Sequence, residues 1–292
     1  MSSVQVGSPQ EPSDLAQLAA EHGLAKVGER PKLGAYLREL WHRRSFLWVM
    51  ASSRTYSRNQ NNFLGQLWTV LSPLTLAAVY YVVFQLIVDT SEGITNFVGF
   101  LTIGIFIFLS FASTVQAGAN AILSNLNVVR ALQFPRAILP ISVALSEMLM
   151  LLPAMAVMVV IVLVTGEPAS WQWLLLPVAL AIILIFTSGL SMLAARIVVA
   201  ARDLRNLIPV SVRMFRYISG VFFLIPTFTS GIFGLILMYQ PVAVYLTLVR
   251  TIMLDQFPMD PQLWLVAIGW ALGFFILGFL VFWQGEEQYG RD

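Results

Sequence analysis

Apolar residues fall in long runs along this chain, and polar residues collect in a few short breaks between them. Runs at about 63–88, 97–120, 137–165, 173–199 and 263–283 each reach the ~18 to 20 apolar residues needed to cross hydrocarbon about 30 Å thick. A further apolar region, 217–239, is interrupted by Pro226-Thr-Phe-Thr-Ser-Gly231, too early for a clean crossing. The pattern predicts a fifth span that begins near Arg213 and ends near Pro226. Residues 232–253 then form short helices that dip back into the outer leaflet, broken at Pro241. Re-entrant backbone is allowed only where protein or water covers it. The expected fold is an all-α polytopic membrane protein with six transmembrane helices and re-entrant outer helices between spans five and six.

Two polar stretches change character ahead of the first span. Residues 1–32 lack the apolar core of a signal peptide and read as a polar cytoplasmic tail. Residues 33–62 mix Leu37, Leu40, Trp41, Phe46, Leu47 and Trp48 with Arg38, Arg43, Arg44, Arg54 and Arg58. Basic, aromatic and amphipathic, they suit an N-terminal helix lying in the membrane interface. Residues 63–292 form the six-span domain.

The break at 125–140 is the most informative. Residues 128–133 suffice for one or two helical turns, bearing Arg130, with Arg136 just beyond. Phe134 precedes a proline, which pushes it out of the helical region and stops that helix. Pro135 then suits the first turn of the next helix, where its missing N–H costs nothing. A short helix jointed to the following span suits a lever driven by a soluble partner; the alternative is an ordinary loop.

Composition excludes several classes of function. Charged residues are 11% of the chain and apolar residues 58%, against roughly 25% charged in a soluble domain. A formal charge of +2 gives no sign of nucleic-acid binding. There is no cysteine, and both histidines, His22 and His42, precede the first span, so a thiol nucleophile or a metal cluster in the membrane has no ligands. Neither lysine, Lys26 or Lys32, follows a glycine. The P-loop's Gly-Lys-Ser/Thr is absent, so any ATP and Mg would be held by a separate partner chain. Placing both termini inside puts sixteen of the seventeen Lys and Arg residues on the cytoplasmic side, with Arg250 alone outside. This is a strong positive-inside bias for a plasma (inner) membrane protein.

The outward acids are scattered, which leaves no hydrolase or transferase constellation and makes transport the natural reading. Glu147 is the one deep acid, a proton or gating site or else the partner of Arg213 or Arg216. Arg213 and Arg216 are three apart and share a helix face, where they would hold an anionic headgroup or snorkel to the inner surface. Tyr80 and Tyr81 lie inside a span, where an unpartnered hydroxyl costs roughly 1–3 kcal/mol. With Trp68 and Phe84 they would line a glycan channel, since sugar rings stack on aromatic faces; the alternative is ordinary packing. Gly269-x-x-x-Gly273 is a close-packing pattern in the last span.

Several motifs together resemble the polysaccharide-export permeases of the ABC-2 type. They are Arg54-Thr-Tyr56-Ser-Arg58, then Leu64-Gly-Gln-Leu-Trp68 with Pro73; Asn125-Leu-Asn127-Val128-Val-Arg130 with Phe134-Pro135-Arg136; Arg202-Asp203; and Leu248-Val-Arg250. The order and placement of the four carry the resemblance, which runs from about Leu37 onward. Arg213 and Arg216 depart from it, since the family's fifth span is usually apolar there. The resemblance implies a homodimeric permease of Wzm type with two copies of a P-loop ATP-binding subunit of Wzt type. It implies export of lipid-linked polysaccharide, such as O-antigen, teichoic acid or galactan, and the chain looks most like the actinobacterial galactan exporters. Asn125, Asn127, Val128, Arg130, Phe134, Pro135 and Arg136 would dock into the ATP-binding subunit. Arg43, Arg44, Arg54, Tyr56, Arg58, Arg213 and Arg216 would admit the lipid pyrophosphate. The alternatives are an ABC-2 drug or lipid exporter, or a polyprenyl-sugar membrane transferase.

Overall fold

Helix signals in the sequence set most boundaries. The computed structural model describes residues 31–58, 67–88 and 93–289. The 1–32 tail up to residue 30, the last part of the expected interface helix (59–62) and Leu64-Gly-Gln therefore lie outside the described residues. Helix α1 (Leu33–His42) and helix α2 (Arg44–Ser57) break at Arg43, so the single expected N-terminal helix is two. The first span is α3 (Leu67–Tyr81), running on as a π-helical turn (Val82–Ile87). The second, α4 (Phe97–Ala119), starts where the Asn96 side chain accepts a hydrogen bond from the Gly99 amide at 2.8 Å, satisfying one of the helix's free N–H groups.

A short helix, α5 (Leu126–Ala131), precedes α6 (Ile138–Val164). Then come α7 (Leu176–Ala200), α8 (Leu204–Ile218), α9 (Ile225–Phe228), α10 (Gly231–Tyr239), α11 (Pro241–Met253) and α12 (Pro261–Gln284). Pro261 opens α12 with the Asp260 side chain accepting from the Gln262 amide. Among the described residues, five helical stretches, α3 with its π-helical turn, α4, α6, α7 and α12, are long and apolar enough to cross a membrane.

The two ends of the bundle are fixed by contacts between distant residues. At one end the Trp283 indole donates to the Pro31 carbonyl at 3.1 Å, so the first and last described segments share a face, here called the terminal end. At the other, the loop end, Gln256 bonds the Thr95 amide and the Gly93 carbonyl, and Glu167 accepts from the Asp255 amide.

Helix α8 leaves the terminal end but stops inside the bundle. Its Ile218 carbonyl accepts from Gln240, and the adjacent Tyr239 carbonyl accepts from Trp270, which lies about 13 Å along α12 from the loop end at 1.5 Å per residue. The chain then continues without helix through Gly220, at φ +71°, to Leu224, which approaches Gly93 at the loop end. Helices α10 and α11 meet at a 72° bend at Pro241, and that bend lies at the depth of Trp270. They therefore form a re-entrant hairpin entering from the loop end, as the break at Pro241 predicts.

Between the terminal end and the loop end the chain here runs through α8 and the turns and bends of 219–224, not through one long apolar helix. This corrects the expected Arg213-to-Pro226 span: the helix starts at Leu204 and ends at Ile218, because its amphipathic Arg-bearing turns are helical while Gly220 breaks them.

Packing is uneven. Helix α4 is the most enclosed span, 72% buried, whereas α3 is only 6% buried and stays open. Helices α7 and α12 meet most closely at Gly189 and Gly278, where a Cβ on either would overlap the other helix's backbone. Gly269 and Gly273 face open space, so the expected pattern packs nothing within the chain.

Candidate functional site

Three groups of charged side chains stand out, and α4 separates two of them. The first surrounds Glu147, about 13 Å into α6 from its terminal end. Its carboxylate accepts from Arg58 of α2 at 2.6 Å. This replaces the expected partner, Arg213 or Arg216, because the end of α2 leans on α6, with Thr55 bonded to Ser146 at 3.1 Å. Arg54, one turn back, is pushed below its ordinary value chiefly by burial, with Glu147 opposing that and Arg58 adding to it. The pair opens onto a cavity of about 320 Å³ lined also by Trp68, Ser72, Ser110 and Ser113. One acid paired with one guanidinium, an aromatic face and three hydroxyls line it, and hydroxyls with an aromatic face suit a polyol.

The second group is a stripe along α8. Arg205, Arg213 and Arg216 recur at helical spacing on one side, with Arg202 in the turn just before the helix, so three guanidiniums run along α8 into the bundle. Arg205 and Arg213 are exposed, while Arg216 donates to the Tyr80 hydroxyl at 3.2 Å and lies 5.3 Å from the Phe108 ring. Phe108 points away from Phe106 and Ser110 of the cavity wall on the same helix. Within one chain, then, the stripe and the cavity lie on opposite sides of α4. Asp203 stands at the start of α8, but its side chain makes no capping hydrogen bond.

The third group joins the jointed segment to both ends of the chain. A 3-10 turn (Leu123–Asn125) and α5 carry Asn127 and Arg130 outward, with Val129 buried. Asn125 turns back to the Ala121 carbonyl, and Val128 is half-buried. The short helix ends at Leu132, two residues earlier than expected, because Leu132 is already extended. Phe134 is buried edge-on against Phe46 of α2 at 5.4 Å. Pro135 comes just before α6, its carbonyl accepting from the Ile138 amide. Beyond it the Arg136 amide donates to Glu286 at 2.9 Å, and the Ala137 amide donates to the Tyr36 hydroxyl at 3.0 Å. That hydroxyl donates to the other Glu286 oxygen at 2.9 Å, and the Arg136 guanidinium bonds the Glu286 carbonyl. Burial pushes the Glu286 carboxyl up to about 7, against the lowering effect of these donors. Burial also pushes the Tyr36 and Tyr289 hydroxyls up.

The loop end has its own charged node. Arg250 of α11 is 4% exposed. Its guanidinium donates to the carbonyls of Gly220, Val221 and Phe100 at 2.9 to 3.3 Å and lies over the Phe100 ring at 3.3 Å. Arg250, counted in the sequence simply as the one outward cation, thus sits inside the protein.

The expected residues are dispersed more than the sequence implies. Arg43 pairs with Glu39 at 3.0 Å and Arg44 lies over Trp41, both exposed at the far end of α2 from Arg58. Tyr56 is exposed. Among the four aromatics expected to line a channel, Trp68 lines the cavity. Tyr80 and Phe84 instead pack against Phe222, and Tyr81 lies near Phe97. Tyr36, Glu286 and the inward role of Arg250 were missed. An arginine inside an apolar run was a readable signal for the last; nothing in the sequence joins Tyr36 to a residue 250 positions away.

Comparison with known proteins bears on what these groups serve. The sequence profile described as "ABC-2 type transporter" matches residues 46–254. The "O-antigen export system permease protein RfbA" of Myxococcus xanthus is 30% identical over 172 residues, 59% of this chain and 65% of that protein. A protein of the same name from Klebsiella pneumoniae is 29% identical over 188 residues, 64% of this chain and 71% of its own length. The matched part of the chain thus spans about two thirds of these relatives' length.

Proposed function

This chain belongs to the ABC-2 type transporter family, and on that premise we propose that it is the transmembrane permease subunit of an ATP-driven exporter of lipid-linked polysaccharide. The observation that carries the reading is the arginine stripe on α8 beside the bare helix α3. An arginine at the centre of a membrane helix costs roughly 2.5–3.5 kcal/mol by insertion scales. Exposed Arg213, about 13 Å along α8 at 1.5 Å per residue, therefore needs water, an anion or protein beside it. A second copy of the chain facing α3 and α8 would enclose a polar passage between the two. A sugar polymer needs such a passage, since each hydroxyl left unsatisfied in hydrocarbon costs several kcal/mol. Curated relatives named for O-antigen export support the glycan class.

The roles divide along the geometry. Arg54, Arg58, Arg213 and Arg216, with Arg43, Arg44 and Tyr56 nearer the surface, admit the anionic pyrophosphate of the lipid carrier. Trp68 meets the sugars at the cavity. The exposed side of α5, with Asn127 and Arg130, docks into a P-loop ATP-binding subunit that holds ATP and Mg, and the Phe134-Pro135-Arg136 joint passes the motion to α6. Two permease copies and two ATP-binding subunits make the working unit, in the plasma membrane with the terminal end cytoplasmic. O-antigen, teichoic acid and galactan chains share the chemistry the site recognises.

The test is purification from the native membrane with identification of whatever binds. The expected result is a stoichiometric P-loop ATPase that is lost when residues 130–136 are scrambled, and a lipid-linked glycan that is lost when Arg54 and Arg58 are both replaced by glutamine. A chain that purifies alone, or one whose export is unchanged by the double replacement, overturns the reading.

A further inference from the structure

The segment most exposed to an outside force is the joint between α5 and α6, and it has no rigidity of its own. Leu132 is extended, Pro135 lacks an N–H, and residues 132–137 are not helical. Such a joint would absorb a push on α5 by bending. The chain closes it instead from two distant places. Tyr36, on α1, and Glu286, in the 3-10 turn Glu286–Gln288 after α12, reach the amides of the two residues that lead into α6, Tyr36 that of Ala137 and Glu286 that of Arg136. Standing ahead of the helix, these amides have no partner within it, so the two side chains hold the entry of α6 from outside it. Both are buried, Tyr36 at 1% exposure and Glu286 at 6%.

The turn that carries Glu286 is itself held in place. Tyr289 is buried against Phe282 at 4.5 Å and donates to its carbonyl, while Arg196 of α7 donates to Gln288 at 2.6 Å and lies over the Tyr289 ring. The segment after α12, which reads in the sequence as a short charged tail, is thus part of the buried structure up to Tyr289. Four elements, α1, α6, α7 and α12, meet at this point.

We infer that Tyr36 and Glu286 are positioning residues for energy coupling, clamping the joint so that movement of α5 is delivered to α6 rather than lost in the joint. The inference rests on the reading of α5 as the contact with an ATP-binding subunit. It assigns to the end of the chain a part in transport that none of its sequence motifs signals.

The clamp responds to proton binding. Among the described residues, the titratable or charged groups facing Glu286 are Tyr36 and Glu39 of α1, Arg136 at the joint, and Tyr289 with Arg196 behind it. Ionised Glu286 accepts from Tyr36 and from the Arg136 amide at once. A proton on the oxygen facing Tyr36 would reverse that bond and leave the tyrosine hydrogen without an acceptor. The clamp is therefore closed with Glu286 ionised, above about 7. Stability runs the other way. A carboxyl raised from 4.5 to about 7 favours the folded state fully below 4.5 and loses that contribution as pH rises through 7. Tight coupling and maximal stability thus lie on opposite sides of neutrality.

The experiment is export per ATP hydrolysed, in native membrane vesicles holding the whole transporter, between pH 6 and 8. Wild type is expected to raise its ratio through neutrality. E286Q keeps the shape of the side chain and should flatten that profile at a low value. E286A should keep ATP hydrolysis while export falls roughly tenfold, within the range by which coupling residues act. Y36F should fall between. Because E286A removes a buried group, hydrogen exchange is read alongside, and faster exchange confined to amides 136–139 is expected. Three results overturn the inference: E286Q with the wild-type pH profile, ATP hydrolysis and export lost in parallel, or exchange unchanged at 136–139. If wild type carries no ATPase at all, the exporter reading fails first, and the exchange experiment still decides whether the clamp exists.

Discussion

The two ends of the bundle solve the same problem by opposite means. At the terminal end, the amides of Arg136 and Ala137, just ahead of α6, meet a carboxylate and a phenol. At the loop end, unsatisfied carbonyls after α8 meet a guanidinium and an amide, Arg250 and Gln240. A broken helix leaves donors at its start and acceptors at its finish, so an acidic clamp belongs at one place and a basic one at the other. The terminal clamp is built of a carboxyl that titrates near neutrality. The loop clamp is built of an arginine, which holds its charge across physiological pH. One end is adjustable, while the other is a fixed fastening between α4, the stretch 219–224 and the re-entrant hairpin.

The sharpest way to break this comparison is Arg250→Ala. Three buried carbonyls lose their donor together, and each unsatisfied group costs about 1–3 kcal/mol. We expect a loss of about 3 kcal/mol or more, read as a marked drop in the unfolding temperature of the purified protein or in its folded yield. Arg250→Lys restores charge but offers one compact ammonium in place of a planar fork, and should recover only part of the loss. Full recovery by lysine would mean that charge alone, not the fork, holds the loop end.

How far the sequence foretold these two ends differs for a physical reason. Five long spans, the re-entrant break at Pro241 and the jointed segment near Pro135 are local patterns, and local patterns are readable. The expected Arg213-to-Pro226 helix differs from what forms, since α8 already starts at Leu204 and the chain breaks at Gly220 rather than at Pro226. Glu147 was expected to pair with an arginine such as Arg213 or Arg216 and pairs with Arg58 instead, since the path of α2 along α6 leaves no trace in spacing. Trp68 stayed on the cavity, while Tyr80, Tyr81 and Phe84 joined aromatic packing, a choice made by tertiary contacts alone. Both clamps pair residues far apart in the chain, which is why neither was visible.

A second, smaller perturbation of the loop end is Gly104→Ala. The added Cβ would lie 2.7 Å from an Arg250 nitrogen and 2.9 Å from the Val221 carbonyl. Overpacking of this sort costs about 1–3 kcal/mol. It should loosen the arginine clamp without removing it, so its effect should shrink sharply when combined with Arg250→Ala. Strict additivity in that double-mutant cycle would show that the two positions do not share one node.

At the terminal end, Tyr36→Phe removes one hydroxyl and leaves the Ala137 amide and one Glu286 oxygen without it. The cost should be about 1–2 kcal/mol, less than for Arg250→Ala, because Glu286 keeps its bond to the Arg136 amide. The measurement that sharpens the comparison is stability at pH 6 and pH 8. The Tyr36 variant should change its pH dependence, whereas the Arg250 variant should shift both values alike. An Arg250 variant with altered pH dependence would erase the distinction between the ends.

The smallest effect belongs to Arg43, which separates burial from charge as the origin of the others. Arg43 and Arg250 carry the same side chain, and Arg43 even has the acid that Arg250 lacks, pairing with Glu39 one turn away. Both members of that pair are more than two fifths exposed, so water already solvates whatever the pair would satisfy. Exposed pairs at this spacing contribute about 0.3–0.5 kcal/mol and are screened by salt. Arg43→Gln should therefore move the unfolding temperature barely at all, and less still at high ionic strength. A loss comparable to that of Arg250→Ala would mean that α1 and α2 are held by charge rather than by the buried contacts of Tyr36 and Phe46, and the terminal end would then have to be read as an electrostatic assembly.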